Sequence, residues 1–145
     1  TNDAAGAVTR LQDMGVEGYL ISSSLLAIQA QRLVRRVCTE CAETHPLSLD
    51  EARVLDIDSA ECAEIRRGKG CERCGQTGYR GRVGLYELLL MSDEIRHQIA
   101  SGADANSIRD TAIKGGMRTL RQDALEKLRA GLTTPEEVVR VTRAV

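Results

Sequence analysis

Phenylalanine and tryptophan are missing from this chain, and three tyrosines are its only aromatic residues. A core must therefore be assembled from Leu, Ile, Val, Ala and Met, and little is available to stack on nucleic-acid bases. No apolar run approaches membrane-spanning length, and no secretory signal pattern occurs. Nowhere in the 145 residues is there a G-x-x-x-x-G-K-[ST] phosphate loop. These residues alone are not expected to hydrolyse a nucleotide. The sequence opens at Thr1 as though in mid-element and is expected to be a piece of a longer chain. Its 15.8 kDa is the size of one ordinary domain.

What the chain does have is cysteine in a telling pattern. Four of the five form two C-x-x-C pairs, Cys38/Cys41 and Cys71/Cys74, with 29 residues between the pairs. One such turn aims two thiolates at an ion from the same side, and a second completes a tetrahedral four-sulfur site for zinc. Gly75, directly after Cys74, suits a tight knuckle because glycine takes φ > 0 without strain. The rival readings are a redox dithiol, disulfides or unrelated thiols. A thioredoxin-like site needs one C-x-x-C in a βαβ context, and a chain with no export signal favours a reducing compartment. Structural zinc on Cys38, Cys41, Cys71 and Cys74 is the expectation. Cys62 is read as a spare thiol and His45 as a solvated loop histidine, because four sulfurs already close the site.

Charge is unevenly spread. The net value is −1, yet residues 38–79 carry five Lys and Arg against nine Asp and Glu. Residues 1–37 stand at +1 and residues 80–145 at +2 by the same count. The cysteine module is thus the acidic part, and four thiolates around one Zn²⁺ add about −2 more. A nucleic-acid-binding zinc ribbon needs a basic face for phosphate contacts, so no nucleic-acid partner is expected.

The expected organisation has three parts. Residues 1–37 read as two helices. The first is capped by Asn2 or Asp3, carries Val8, Leu11 and Met14 on one face, and ends at Gly15. The second starts from Ser22–Ser24 with Leu25, Ile28 and Leu33 on one face, needing a partner layer that the chain is not expected to supply. Residues 38–79 form the metal module, with a capping box at Ser48-Leu49-Asp50-Glu51, a short helix over Ala52, Val54 and Leu55, and a strand near Ile65. Gly75, Gly78, Gly81 and Gly84 suggest a turn-rich stretch. From Val83 an apolar run, interrupted by Glu87, leads into a helical bundle. Ser92 caps one helix, Gly102, Gly115, Gly116 and Gly131 mark stops, and Met117 to Ala130 has helical spacing. Thr134-Pro135-Glu136-Glu137 opens the last helix with Pro at its first position and a capping-box Glu. The fold class predicted is mainly α with small β elements.

Several stretches together resemble a known family. They are Thr1-Asn2-Asp3-Ala4, Ala7-Val8-Thr9-Arg10-Leu11, Ala30-Gln31-Arg32-Leu33-Val34-Arg35 and the two cysteine pairs. Gly78-Tyr79-Arg80-Gly81-Arg82-Val83-Gly84-Leu85-Tyr86-Glu87 and Gly131-Leu132-Thr133-Thr134-Pro135-Glu136-Glu137-Val138 continue the series. The whole resembles the C-terminal third of the secretion traffic ATPases of type II secretion, with the type IV pilus assembly ATPases as the close alternative. The spacer 42–70 is its least typical part. The resemblance implies that residues 1–37 end a RecA-like α/β ATPase core. It likewise implies a four-cysteine zinc module over 38–79 and a C-terminal helical subdomain over 80–145. It further implies a hexameric, cytoplasmic motor peripheral on the inner membrane, working with membrane-platform proteins. ATP and Mg²⁺ would be handled by the full-length protein.

The resemblance also bears on the arginines. Arg32, Arg35 and Arg36 are spaced to share a helical face, where a solvated stripe competes with a place near the core's functional surface. Arg82 occupies a position that, in similar ATPases, lies near the base of the bound nucleotide. Two other classes remain open: a zinc-ribbon nucleic-acid module, disfavoured by the acidic charge, and a chaperone-type zinc module. The latter is suggested by Cys71-x-x-Cys74-x-x-x-Gly78, which is similar to a J-protein repeat but occurs here as two half-motifs.

Overall fold

The structure is a computed structural model, and it describes residues 2–58, 60 and 62–142. Two compact units share the chain, each drawing on two separate stretches of sequence. Among the described residues, one combines residues 2–31 with Tyr86–Leu120, and the other combines Arg32–Leu85 with residues 121–142. Seven helices and two small sheets occur among the described residues, as expected for a mainly α chain with small β elements.

In the first unit, helix α1 (Ala4–Asp13) starts where the Asp3 side chain accepts the amide of Gly6, satisfying one of the donors a helix leaves open at its start. Helix α2 (Gly18–Ser24) contributes Ile21 to the core. Helices α4 (Asp93–Ala100) and α5 (Ala105–Lys114) are capped by Ser92 and Asp104. Their Ile95, Ile99, Ile108 and Ala112 pack with Ala4, Ala5, Val8 and Ile21 in one apolar cluster. This corrects two expectations. The partner layer thought to be lacking is supplied by residues 86–120 of the same chain, and Met14, placed on the packed face of α1, is 70% exposed.

A larger correction concerns the second helix expected from Ser22–Ser24. Those serines end α2, and Ala27–Val37 is strand β1. Ile28, Ala30, Arg32 and Val34 are covered more than Ala27, Gln29, Gln31 and Leu33 between them, which is the period of two of a strand. The inward set contains an alanine and an arginine, so its apolar signal was weak against the apparent helical spacing of Leu25, Ile28 and Leu33. Arg32, Arg35 and Arg36 therefore lie along a strand and share no helical face. β1 pairs with a strand numbered here β4 (Tyr79–Leu90). The supposed turn-rich stretch is thus largely strand: Gly81 and Gly84 lie inside β4, and the turns are confined to Gly75–Gly78. Glu87 interrupts the apolar run because its carboxyl group is 1% exposed and accepts two helix-starting amides.

In the second unit, β2 (Ala42–Pro46) and β3 (Glu64–Gly68) pair antiparallel with Ala42 opposite Gly68 and Pro46 opposite Glu64. Helix α3 (Leu49–Leu55) between them opens on the expected reciprocal capping box of Ser48 and Glu51. Ala52 and Leu55 are buried, whereas Val54 is exposed. Helix α6 (Leu120–Arg129) ends before Gly131, and α7 (Pro135–Thr142) begins with Pro135 as expected. Glu137 keeps one half of the expected capping box, its amide donating to the Thr134 hydroxyl at 3.4 Å, while its side chain is engaged elsewhere. Its carboxylate accepts the backbone amide of Arg35, and both Arg35 and Arg140 donate guanidinium protons to it.

Candidate metal centre

The two cysteine pairs sit at the ends of strands. Cys38 follows β1 and Cys41 precedes β2, while Cys71 and Cys74 flank and close a single 3-10 turn (Glu72–Cys74) after β3. The pairing of β2 with β3 explains how a 29-residue spacer is tolerated: its ends are zipped together. The ladder continues one step past Ala42 and Gly68, where the Lys69 amide donates to the Cys41 carbonyl at 3.2 Å. From there a few residues turn the second pair back over the first.

All four Sγ atoms lie within 4.8 Å of one another. Cys38 and Cys71 are 3.8 Å apart at sulfur, Cys41 and Cys74 3.8 Å, and Cys71 and Cys74 3.7 Å. A Zn–S bond of about 2.3 Å gives a tetrahedron with edges of about 3.8 Å. The thiols therefore already stand where a tetrahedral ion requires them, and the donor set suits zinc chemically. All five cysteines are free, and these separations are far from the roughly 2.05 Å of a disulfide.

Hydrogen bonding polarises the cluster. The amides of Cys71 and Gly78 donate to Cys74 Sγ at 3.3 and 3.2 Å. Burial alone would push the Cys74 thiol up, but these amide bonds, together with hydrogen bonds from the thiols of Cys71 and Cys41, bring it down to about 6. Cys41, desolvated and surrounded by the other sulfurs, is pushed up to about 11. A divalent cation would bind these sulfurs as thiolates and displace their protons. Gly75 takes φ +64° as expected of the knuckle glycine, although its own amide goes to the Glu72 carbonyl and not to sulfur.

The remaining sequence-predicted residues fall outside the cluster. Cys62 is buried with its thiol directed at the Glu64 carbonyl, and His45 lies on β2 beside Glu43. Arg82 lines a groove of about 480 Å³ together with Arg36, Arg80 and Thr39. Arg35 lies 4.0 Å over the ring of Tyr79, whose hydroxyl is 2.7 Å from that of Thr134. Sequence reasoning missed Gly68 and read Gly78 as a turn and motif residue, yet the backbones of these two meet where the Gly78 amide reaches Cys74 Sγ. Two glycines flanking a cysteine pair are visible in sequence; their contact is not.

The fold and site define an α-rich chain with a four-sulfur centre able to hold a metal. Comparison with known proteins places it further. The family described as Type II/IV secretion system protein matches residues 1–140, and the chain belongs to that family. The Type IV pilus assembly ATPase PilB of Thermus thermophilus is 49% identical over 96% of this chain and 16% of its own length. The Type II secretion system ATPase E of Vibrio cholerae is 44% identical over 99% of this chain and 28% of its own. For the Type II secretion system protein E of Pectobacterium carotovorum the figures are 47%, 99% and 28%. The chain thus spans less than a third of the length of these relatives. No helix among the described residues is long and apolar enough to cross a membrane.

Proposed function

We propose that this chain works as the C-terminal portion of a hexameric ATPase that powers type II protein secretion. Residues 1–37 would end its RecA-like core, 38–79 would be a zinc module and 80–145 a helical subdomain. The observation that carries the reading is the family match over residues 1–140, joined to relatives that are named as type II secretion ATPases. ATP binding, Mg²⁺ coordination and hydrolysis belong in this reading to the full-length protein, because no phosphate loop occurs in these 145 residues. The zinc is structural: four thiolates close the coordination sphere, whereas a catalytic zinc keeps a position for water. It stiffens an acidic module suited to docking a neighbouring subunit or a membrane-platform protein on the cytoplasmic face of the inner membrane. Arg82 is assigned a contact to the nucleotide base.

Assays of ATP hydrolysis test the reading. The 145-residue chain should show none above background, and the full-length protein should hydrolyse ATP with Mg²⁺. In that protein Arg82→Ala should weaken nucleotide binding by about 1–2 kcal/mol, the scale of one charged hydrogen bond, and affect turnover less. Intrinsic hydrolysis by the 145 residues, or tight DNA binding in place of ATP use by the full-length protein, would overturn it. A second reading, a type IV pilus assembly ATPase, is favoured by the 49% identity to the relative of that name. Gene deletion separates the two: loss of exported enzymes supports secretion, and loss of surface pili supports the alternative.

A further inference from the structure

We propose that Gly68 and Gly78, neither of which can ligate a metal through a side chain, position the four-thiol centre and set its metal affinity. The proposal rests on reading those thiols as a metal site and concerns what holds them in place.

Gly78 touches both cysteine pairs through its backbone. Its amide donates to Cys74 Sγ at 3.2 Å, and its carbonyl accepts the amide of Cys38 at 2.9 Å. Gly68 is tied to the first pair by a different route. It ends β3 opposite Ala42, the residue after Cys41, and the next amide, that of Lys69, donates to the Cys41 carbonyl. The two glycines then press against each other. A Cβ on Gly68 would stand 2.3 Å from the Gly78 carbonyl oxygen and 2.6 Å from its Cα, and a Cβ on Gly78 would stand 2.4 Å from the Gly68 carbonyl oxygen. Both obstacles are backbone, which cannot rotate aside. Adding a methyl group at either position must therefore push the β3 end and the post-knuckle turn apart, and the cysteines hung on them move with it.

The neighbouring glycines separate this effect from ordinary backbone strain. Gly78 adopts φ +82°, but Gly75 at φ +64° and Gly81 at φ +80° are equally left-handed and face open space. Alanine at any of the three is strained, yet only at Gly78 does it also collide. Gly68 has the collision without a left-handed backbone. Groups that orient metal ligands typically govern affinity by factors of about 10–100, the range expected here.

The test compares Gly68→Ala, Gly78→Ala and Gly81→Ala in the 145-residue chain, titrated with Co²⁺ and then with Zn²⁺ in competition with a chelator. Gly68→Ala and Gly78→Ala should each lose about 10–100-fold in affinity and shift the cobalt–thiolate absorption bands at saturation, because the sulfur geometry itself changes. Gly81→Ala should lose less than a few-fold and keep the wild-type spectrum. The double variant of Gly68 and Gly78 should be little worse than either single one, since both break the same contact. Where a variant is unfolded without metal, the metal concentration at half refolding gives the same ranking. Equal affinity and spectra for Gly78→Ala and Gly81→Ala, or an unperturbed Gly68→Ala, would overturn the proposal. A wild-type chain that bound neither ion would instead refute the underlying reading of the site.

Discussion

Glu87 Oε1 accepts the amide of Ala4 at 2.9 Å, across 83 residues of sequence, while its Oε2 accepts the amide of Leu120 at 3.0 Å. Ala4 and Leu120 are the first residues of α1 and α6, so a single buried carboxyl group serves two helix starts. Each start presents unsatisfied amides and the positive end of a helix dipole, and burial raises the cost of leaving either unmet. Glu87→Ala should cost about 2–4 kcal/mol, the scale of two buried donors left without partners. Glu87→Gln, which keeps one acceptor oxygen, should cost less. Urea denaturation monitored by circular dichroism measures both. A loss below about 0.5 kcal/mol for the alanine variant, the level of an ordinary surface substitution, would show the two bonds to be dispensable.

The four-thiol centre predicts one zinc per chain. Native mass spectrometry of protein purified under reducing conditions should give the apo mass plus one zinc, less the protons displaced from the thiols. Chelation, or Cys71→Ser, should loosen residues 38–79, because metal binding and folding share one free energy here. Hydrogen exchange should then rise in β2, β3 and the 3-10 turn, while the cluster of α1, α2, α4 and α5 keeps its protection. Cys62→Ala should leave the stoichiometry unchanged. Two disulfides and no metal in such a preparation would contradict the assignment.

Local signals were legible where one residue acts on its neighbours. The Ser48 and Ser92 caps, the glycine stops and Pro135 at a helix start stand where the sequence places them. The cysteine spacing likewise anticipated four sulfurs in one place. What escaped were relations that need a partner distant in sequence. β1 was hidden because its covered positions include Ala30 and Arg32, whose partial cover on a strand no helical or apolar count reveals. The cover on α1 and α2 comes from residues 86–120, and a chain read in order offers no sign that Ile99 and Ile108 return to Val8. Gly68 and Gly78 are ordinary turn residues until their backbones meet. Glu137 carried a correct local reading as a residue of a helix start, but its bonds go to Arg35, 102 residues away, and to Arg140.

Glu137 also yields a dependence on pH. Its side chain is 1% exposed and is held by Arg35 at 2.8 Å and Arg140 at 2.6 Å. Burial pushes its carboxyl up, but the bonds from Arg140 and from the amide and guanidinium of Arg35 prevail and bring it from 4.5 down to about 2. A group with a depressed folded-state value stabilises the fold above its unfolded value and loses that contribution as pH falls through the folded one. The contribution of Glu137 should thus be complete above about pH 4.5 and vanish between there and pH 2. A difference of this size corresponds to about 3 kcal/mol at most. Wild-type protein and Glu137→Gln should be compared by denaturant titration at a series of pH values, so that proton competition at the thiols, common to both, cancels. The stability gap should be widest at neutral pH and narrow steadily below pH 4.5. A gap that stays constant down to pH 2 would mean that the carboxylate gains nothing from Arg35 and Arg140.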